Sequence, residues 1–293
     1  MMRHKFLVTI LTHQRPENVL TYKALRKFGY TGKILLLIDN EDPTIDEYRK
    51  IYKDEEIHVF DKEAEDRITD NCDNLPHRKT ALYARNASFQ IVKDLGYRYF
   101  IQLDDDYREF RHSIAPGSMF KKKAVKDLDA VFDAYLDFYI ASNAKSITMA
   151  LGGDYVGGQD CQGIRNGWHK RKCMNSWFCD TEKPLRFTGH MNDDCSQYVV
   201  NGRRGDFYLQ CFFTKITMAP SQSMGGGMTG LYKDSGTYMK TMYTIIQAPS
   251  CVRISAIGSR GMGNSMDDNS VRIHHKVKWN NACVKIVREK WKK

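Results

Sequence analysis

Short apolar runs alternate with amphipathic segments along the first part of the chain. The runs from Lys5 to Leu11, Ile34 to Ile38 and Ile57 to Phe60 have the length and composition of buried strands. Between the first two, Pro16 marks a helix start and Gly29 follows the end of an apolar helical face. This alternation predicts a parallel sheet that is covered by helices on both faces.

Two longer helices are predicted further along, from Arg78 to Leu95 and from Val125 to Tyr139, because apolar residues recur there at helical spacing. A strand is predicted from Ser146 to Leu151. Residues 152–219 are rich in glycine, aromatic and polar residues and lack the regular alternation. That change is typical of an elaborated, substrate-facing half, and the chain as a whole is predicted to be of the α/β class.

Three adjacent carboxylates, Asp104, Asp105 and Asp106, end the apolar run that begins at Phe100. Carboxylates this close repel one another, and a divalent cation is the simplest compensation. Oxygen ligands suit Mg²⁺ or Mn²⁺, which commonly hold the phosphates of a nucleotide. Ligands of open α/β sheets bind beyond the carboxyl ends of strands, where this triplet is expected. The alternative is a solvated acidic turn.

The formal charge is +10, and the basic residues form short clusters. A charge of this sign favours an acidic partner, and nucleic acid, nucleotide or a membrane surface all qualify. Any single cluster is more often a solvated face. The clusters lie at Lys121 to Lys123, Lys170 to Lys172, Arg203 with Arg204, and Lys290 to Lys293.

No apolar run reaches the roughly 18 residues that a membrane span needs, and the N-terminus lacks the features of a signal peptide. We therefore expect a soluble, cytoplasmic protein without a membrane partner. The eight cysteines are scattered without a CxxC pair, so free thiols are expected. Cys161, His169, Cys173 and Cys179 offer zinc-type ligands, but their spacing fits no zinc-finger pattern.

The triple glycine Gly225-Gly226-Gly227 lacks the strand-to-helix context and the following Lys-Ser/Thr of a phosphate-binding loop. A lid or a turn is the favoured interpretation.

Several of these features together resemble the nucleotide-sugar half of a GT-A glycosyltransferase, whose metal site is a DxD motif. They are the N-terminal strand, the acidic turn at Asp39, the helix with Ala84-Arg85-Asn86, and the strand that ends in Asp104-Asp105-Asp106. The resemblance implies a GT-A-like, Rossmann-like sheet in a single domain over residues 1–293. About residues 1–110 would form the nucleotide-sugar half, and about 111–293 the half that binds the acceptor and completes the metal site.

Later segments resemble one family more specifically, the TET-associated glycosyltransferases of bacteriophages, and the likeness runs over nearly the whole chain. They are Lys170 to Ser176, Asn192-Asp193-Asp194, Gly236-Thr237-Tyr238, and Arg272 to Asn280. The resemblance implies transfer of a sugar from a UDP-sugar to 5-hydroxymethylcytosine or 5-hydroxymethyluracil in phage DNA. A TET-type oxygenase would make the hydroxymethyl group upstream, in the cytoplasm of the bacterial host.

The resemblance also implies a metal site. Asp104 and Asp106, spaced as DxD, are expected to reach the Mn²⁺ or Mg²⁺ ion and the donor ribose. Asp105 would point to the opposite face if strand geometry continued, although a turn could reverse this. His274 and His275 would present one imidazole on each face of a strand, one binding the metal and the other packing. Without the resemblance, a histidine pair is more often structural or exposed.

A base must accept the proton of the attacking hydroxyl, and Asp194 is the first candidate, with Asp193 second. The alternative is that the two cap a helix or are solvated. The family pattern has Glu-Asp where this chain has Asp-Asp, which leaves the role of Asp193 open.

The donor is expected to contact side chains of the first half: Thr12, Arg15, Asp39, Arg85, Asp104 and Asp105. Arg85 is chosen because a guanidinium contacts two diphosphate oxygens at once; the other reading of Arg85 is a surface residue. For the acceptor we expect Lys172, Asn175 and Trp177. A flipped base could stack on Trp168, Trp177 or Tyr155, although aromatic residues at such spacing are more often core.

Two rival functions stay open. One is a GT-A enzyme that acts on a glycan or a protein. The other is a nucleic-acid-binding module that kept the fold and lost catalysis; the presence of the acidic triplet, the histidine pair and the Asp193-Asp194 pair argues against it.

Overall fold

The computed structural model describes residues 3–76, 78–113, 123–156, 158–219, 238–258 and 271–284. The triple glycine, most of the basic cluster at 121–123, Gly236 with Thr237, and the basic cluster at 290–293 lie outside the described residues.

A nine-stranded sheet forms the centre of the described fold, in the order β3-β2-β1-β4-β8-β7-β9-β5-β6. Its strands are β1 (Phe6–Leu11), β2 (Lys33–Asp39), β3 (Ile57–Phe60), β4 (Tyr99–Asp104), β5 (Tyr107–His112), β6 (Lys123–Ala124), β7 (Ser146–Leu151), β8 (Ser176–Asp180) and β9 (Tyr208–Met218). A separate antiparallel pair, which we call the β10–β11 ribbon, consists of β10 (Val252–Gly258) and β11 (Val271–Val277).

The helices of the described residues follow the strands in a regular order at first. They are α1 (Leu20–Lys27), α2 (Ile45–Ile51), α3 (Lys62–Ile68), α4 (Leu82–Asp94), α5 (Leu128–Ser142), α6 (Gln162–Asn166), α7 (Asp193–Gly202), α8 (Met239–Gln247) and α9 (Trp279–Ala282). Short 3-10 helices occupy 16–18, 54–56, 152–155 and 158–160.

The strands β3, β2, β1 and β4 are all parallel, as predicted. Further along the sheet, β8 is antiparallel to both β4 and β7, whereas β7 and β9 are parallel. The strands β8 and β5 therefore run against the other strands, and most of the sheet points one way. The predicted α/β class, with a mostly parallel sheet flanked by helices, is confirmed.

All six residues of β1 are buried, because helices cover both faces of the sheet. Phe6, Val8 and Ile10 pack with the apolar side chains of α1 and α5 on one face. Leu7 and Leu11 pack with those of α4 and α7 on the other. This double burial fixes the carboxyl end of β1 at the edge of the sheet, where the site lies.

Helix α4 begins four residues later than its apolar pattern predicted, at Leu82 rather than Arg78. The hydroxyl of Thr80 accepts a hydrogen bond from the backbone N–H of Leu82 at 3.2 Å and so caps the first turn from outside. Residues 79–81, which precede this turn, line the cleft described below.

No helix in the described part of the chain is long and apolar enough to cross a membrane.

Candidate active site

A cleft of about 390 Å³ opens beyond the carboxyl ends of β1, β2, β3 and β4. The chain moves from β1 to β2 in one direction along the sheet and reaches β4 on the other side of β1, so the cleft lies at the switch point of the strand order. Leu11 and Asp104, the last residues of β1 and β4, are register partners there. Ten of the residues predicted to form the site line this cleft: Thr12, Arg15, Asp39, Arg85, Asp104, Asp105, Asp106, Asn175, Asp193 and Asp194.

The acidic triplet turns sharply, because β4 ends at Asp104 and β5 begins at Tyr107. Thr21 of α1 holds the turn: its hydroxyl donates to the carbonyl of Asp104 at 2.5 Å and accepts from the N–H of Tyr107 at 2.9 Å. The turn directs Asp105 into the same cleft as its neighbours. Of the two orientations expected for Asp105, the structure has the one that a turn produces.

Asp105 is buried, and both of its carboxylate oxygens accept hydrogen bonds from the protein. Its carboxylate accepts hydrogen bonds from the Thr12 hydroxyl at 3.0 Å and from Arg15 Nη1 at 2.8 Å. Burial raises the pKa of Asp105, and the charge of Arg15 opposes that rise. Asp105 therefore anchors Thr12 and Arg15 at the cleft wall.

Among the three carboxylates of the triplet, Asp106 has the surroundings that best fit a cation ligand. Its Oδ1 atom is buried without a hydrogen-bond partner among the described residues. Burial, with the nearby charges of Asp104 and Asp105, raises the pKa of Asp106 to about 7. An orphaned carboxylate oxygen beside two further carboxylates fits a divalent cation with oxygen ligands. The described residues contain no group of three His, Cys, Asp or Glu side chains already arranged around a metal position.

A single buried guanidinium, that of Arg85 on α4, joins the two acidic groups of the cleft. Its Nη2 donates to Asp104 Oδ1 at 3.0 Å. Its Nε lies 3.0 Å from Asp193 Oδ2, as an ion pair without hydrogen-bond alignment. The guanidinium also lies over the ring of Phe187, 5.6 Å from its centroid. Arg85 is therefore not the surface residue that was considered as an alternative.

Asp193 and Asp194 form the first turn of α7. Asp193 is buried, and its pKa is raised by that burial although Arg85 opposes the rise. Asp194 is half-buried, accepts a hydrogen bond from the N–H of Cys195 at 2.6 Å, and has a pKa that burial raises against the influence of Arg85. Asp194 is thus the more accessible of the two carboxylates.

Asp39, at the end of β2, is held by a lysine and a histidine that were not predicted. Lys62 Nζ donates to its Oδ1 at 3.0 Å, and His13 Nδ1 lies 2.8 Å from its Oδ2. Burial alone would raise the pKa of Asp39, but the hydrogen bonds and charges of His13 and Lys62 lower it. Lys62 follows the end of β3, so the strand-end rule that selected Asp39 could have found it.

The two histidines differ from the prediction. Their ring centroids are 4.3 Å apart, so the expectation of one imidazole on each face of the strand is wrong. Neither is among the residues that line the cleft. His275 is buried, with Nε2 at 3.1 Å from Cys195 Sγ and Nδ1 at 3.4 Å from the amide of Asn192. Burial, with the charges of His274, Lys172 and Lys240, lowers the pKa of His275 to about 3. Metal ligation by His274 or His275 stays a prediction.

The three residues predicted to contact the acceptor lie in different places in the structure. Asn175 lines the cleft, and its carbonyl accepts a hydrogen bond from the Tyr107 hydroxyl. Lys172 does not line the cleft, yet its charge lowers the pKa of Asp194, so it lies in the same electrostatic environment.

Trp177 as an acceptor contact is wrong. It is fully buried in β8, where its ring packs edge-on to Phe187 and Tyr208. Tyr155 and Trp168 pack against Phe212 and Phe213, as the core alternative expected.

The eight cysteines are free thiols in the structure, and Cys161, Cys173 and Cys179 are buried. Thr148 Oγ1 lies 3.2 Å from Cys173 Sγ. These thiols lie in the core and do not line the cleft.

Sequence comparison with curated proteins found no match. Three solved structures are similar to this chain at low identity and with TM-scores below 0.5. Residues 1–349 of S. aureus TarS in complex with UDP-GlcNAc are 11% identical, with 83% of this chain and 66% of that chain covered and a TM-score of 0.46. Glucosyl-3-phosphoglycerate synthase from Mycobacterium tuberculosis, in complex with Mg²⁺ and UDP, is 9% identical, with 94% and 88% covered and a TM-score of 0.46.

The mannosyltransferase PcManGT from Pyrobaculum calidifontis, in complex with GDP-Man and Mn²⁺, is 8% identical, with 84% and 74% covered and a TM-score of 0.45. Likeness at this level leaves donor and acceptor to be argued from the chain's own residues.

One protein-family model matches most of the chain. The model of the TET-Associated Glycosyltransferase family matches residues 6–227, which include the acidic triplet, Arg85 and the Asp193-Asp194 pair. This chain belongs to the TET-associated glycosyltransferase family.

Proposed function

We propose that this glycosyltransferase transfers a sugar from a UDP-sugar to the hydroxymethyl group of 5-hydroxymethylcytosine or 5-hydroxymethyluracil in phage DNA, with Mn²⁺ or Mg²⁺ at the donor diphosphate. It would act in the bacterial cytoplasm, after a TET-type oxygenase has made the acceptor hydroxyl. The observation that carries the proposal is the meeting of the acidic triplet and the Asp193-Asp194 pair in one cleft at the switch point of the sheet.

The nucleoside of the donor is assigned to the side of the cleft formed by the ends of β1 and β2. A buried carboxylate held by two side chains, as Asp39 is by Lys62 and His13, keeps a fixed orientation and can accept hydrogen bonds from a base or a ribose. Arg15, fixed by Asp105, lies on the same wall and can contact a phosphate.

The diphosphate and its cation are assigned to Asp104 and Asp106. Arg85 takes one oxygen of Asp104, and the orphaned Oδ1 of Asp106 is available as a ligand. His274 or His275 would complete the ligand set. When bound, the cation offsets the negative charge that develops on the departing diphosphate.

The proton of the acceptor hydroxyl is assigned to Asp194. As the hydroxyl oxygen bonds to the anomeric carbon of the sugar, the bond from that carbon to the diphosphate breaks and the carboxylate accepts the proton. A carboxylate with a raised pKa is better matched to this step near neutral pH than a fully exposed one. Asp193, held by Arg85, is better suited to fixing the turn.

The acceptor would approach from the side of Asn175 and Lys172. Lys172 supplies positive charge beside Asp194, which suits an approaching DNA phosphate.

Mass spectrometry of nucleosides tests this function. DNA that contains 5-hydroxymethylcytosine or 5-hydroxymethyluracil is incubated with Mn²⁺ and a panel of UDP-sugars, digested, and compared with unmodified DNA. We expect the mass of one sugar to be added per modified base in hydroxymethylated DNA and none in unmodified DNA. The Asp194→Asn variant should add no sugar to either. If the enzyme consumes a UDP-sugar and leaves every hydroxymethylated base unchanged, the acceptor is not DNA.

A further inference from the structure

The outer face of the β10–β11 ribbon presents two positive charges side by side. Arg253 and Lys276 are register partners on its antiparallel strands, and partners directly opposite share one face. Both side chains are exposed. Like charges in this arrangement destabilise a strand pair. A bound anion would relieve this repulsion.

The described residues of the ribbon include no acid that could offset these charges. Residues 251–258 and 271–284 include no Asp or Glu. In the described part of the chain, neither Arg253 nor Lys276 forms an ion pair with a carboxylate. Lys278, two residues beyond Lys276, is also exposed and adds a third positive charge.

The inner face of the ribbon packs directly behind the acceptor wall of the cleft. His275 contacts Cys195 of α7 and the amide of Asn192, and Asn192 lines the cleft. Helix α8 is bound to the ribbon through the Thr241 hydroxyl, which donates to the carbonyl of Ile273 at 3.3 Å. The ribbon therefore contacts, through His275, the two residues that flank the Asp193-Asp194 pair.

A second basic segment joins the ribbon at its end. Lys170 Nζ donates to Asn280 Oδ1 of α9 at 3.1 Å, which places the segment of Lys170 and Lys172 beside the chain that follows β11. Because Lys172 acts on the pKa of both Asp194 and His275, positive charge extends from the cleft to the ribbon.

We propose that Arg253, Lys276 and Lys278, which we call the ribbon face, bind the phosphate backbone of double-stranded nucleic acid and hold it while a base is presented to the cleft. This inference rests on the proposed function and adds a surface for its acceptor. A row of a few cations suits a linear chain of phosphates. An anionic membrane surface is less suited, because binding to it typically needs clusters of about 4–8 Lys or Arg.

Salt-dependent binding to unmodified duplex DNA of about 20 base pairs tests the proposal, because each lost phosphate contact makes the plot of log K against log salt shallower by about 0.9. For Arg253→Gln/Lys276→Gln we expect a slope shallower by about 2 between about 50 and 200 mM NaCl. The matched control is Lys50→Gln/Lys93→Gln, which removes the same charge from exposed positions at the ends of α2 and α4, at the opposite edge of the sheet from the cleft. The control should keep the wild-type slope.

A second variant separates binding from folding. Arg253→Glu places opposite charges across the ribbon, so its melting temperature should equal or exceed that of the wild type while duplex binding weakens. With hydroxymethylated duplex as substrate, the KM for DNA should rise about tenfold for either ribbon variant, with kcat and UDP binding unchanged.

A wild-type salt slope in the double ribbon variant would overturn the proposal. An equally shallow slope in the control variant would overturn it as well. Loss of binding to phosphatidylserine vesicles with the DNA slope unchanged would assign the face to a membrane instead. If the ribbon variants lose duplex binding but the wild type transfers no sugar to DNA, only the proposed function fails.

Discussion

At the scale of single residues, the distribution of charge in the cleft supports the proposed cation. Arg85 is shared between Asp104 and Asp193, and it can offset only one negative charge. Asp106 and Asp194 have no cation of the described chain bonded to them. The cleft thus holds more carboxylates than the chain compensates. Burial raises the pKa values of Asp106 and Asp194, and the neighbouring carboxylates raise them further.

Replacing Arg85 with Gln should lower the free energy of unfolding by about 3–5 kcal/mol at pH 8, because removing one partner of a buried ion pair leaves the other charge uncompensated. The loss should be smaller at pH 6. The pKa of Asp193 is already raised and would rise further, so a proton neutralises this carboxyl in the folded state as pH falls. Urea unfolding at both pH values measures this, and Arg85→Lys should recover part of the loss. A loss that is the same at both pH values would argue against the shared-charge account.

Asp106→Asn should stabilise the metal-free protein above pH 7 and leave it unchanged below about pH 4. The folded-state pKa of Asp106 is about 7, so an unfavourable contribution from its ionised form develops as pH rises from about 4 to about 7. Mn²⁺ should reverse the order at pH 8 by raising the melting temperature of the wild type alone. Thermal unfolding with and without Mn²⁺ is the measurement, and an equal Mn²⁺ shift in both proteins would remove Asp106 from the ligand set.

The sequence predicted some of the cleft residues that follow strand ends and missed others at the same ends. Thr12, Asp39 and Asp104 lie where the carboxyl ends of parallel strands meet at one edge. His13 and Lys62, which follow the ends of β1 and β3, were missed because no spacing marks a side chain as the partner of a distant carboxylate. The close approach of the two histidine rings is likewise a consequence of tertiary packing, which strand alternation alone does not determine.

At the scale of elements, apolar runs predicted strands well where helices cover both faces. The boundaries of β3 and β7 match the predicted runs. The interpretation of Trp177 failed because β8 is an interior strand, between β4 and β7, and a large aromatic residue there fills the core. Apolar content reveals such a strand, but it does not show which aromatic side chains face a ligand.

Trp177→Phe should change the free energy of unfolding by less than about 1.5 kcal/mol. The smaller ring loses part of the packing against Phe187 and Tyr208, while the change also removes an indole N–H that is buried without a partner in the described structure. The KM for hydroxymethylated DNA should be unchanged, as steady-state kinetics would show. A higher KM with unchanged stability would restore Trp177 as an acceptor contact.

At the scale of the whole molecule, the proposed function places the donor and the acceptor on different sides of the cleft. The family match includes residues of both sides and ends at residue 227, before the β10–β11 ribbon. If the acceptor is DNA, as proposed, the net charge of +10 favours its approach, since exposed charges act on a polyanion at a distance.

Raising NaCl from about 50 to about 200 mM should raise the KM for duplex DNA about a hundredfold if the ribbon face and Lys172 together make four phosphate contacts. UDP binding should change little, because charges inside a cleft are screened less than exposed ones. Kinetics with DNA and calorimetry with UDP, at both salt concentrations, measure the two effects. Equal salt sensitivity of both would contradict this division of the molecule.

The measurement that tests the account most directly is calorimetric titration of UDP into the protein with and without Mn²⁺. We expect binding that depends on Mn²⁺ in the wild type and that is lost in Asp106→Asn, because the acidic triplet can hold an anionic diphosphate only through a cation. UDP binding of equal strength with and without Mn²⁺, or unaffected by Asp106→Asn, would contradict the account.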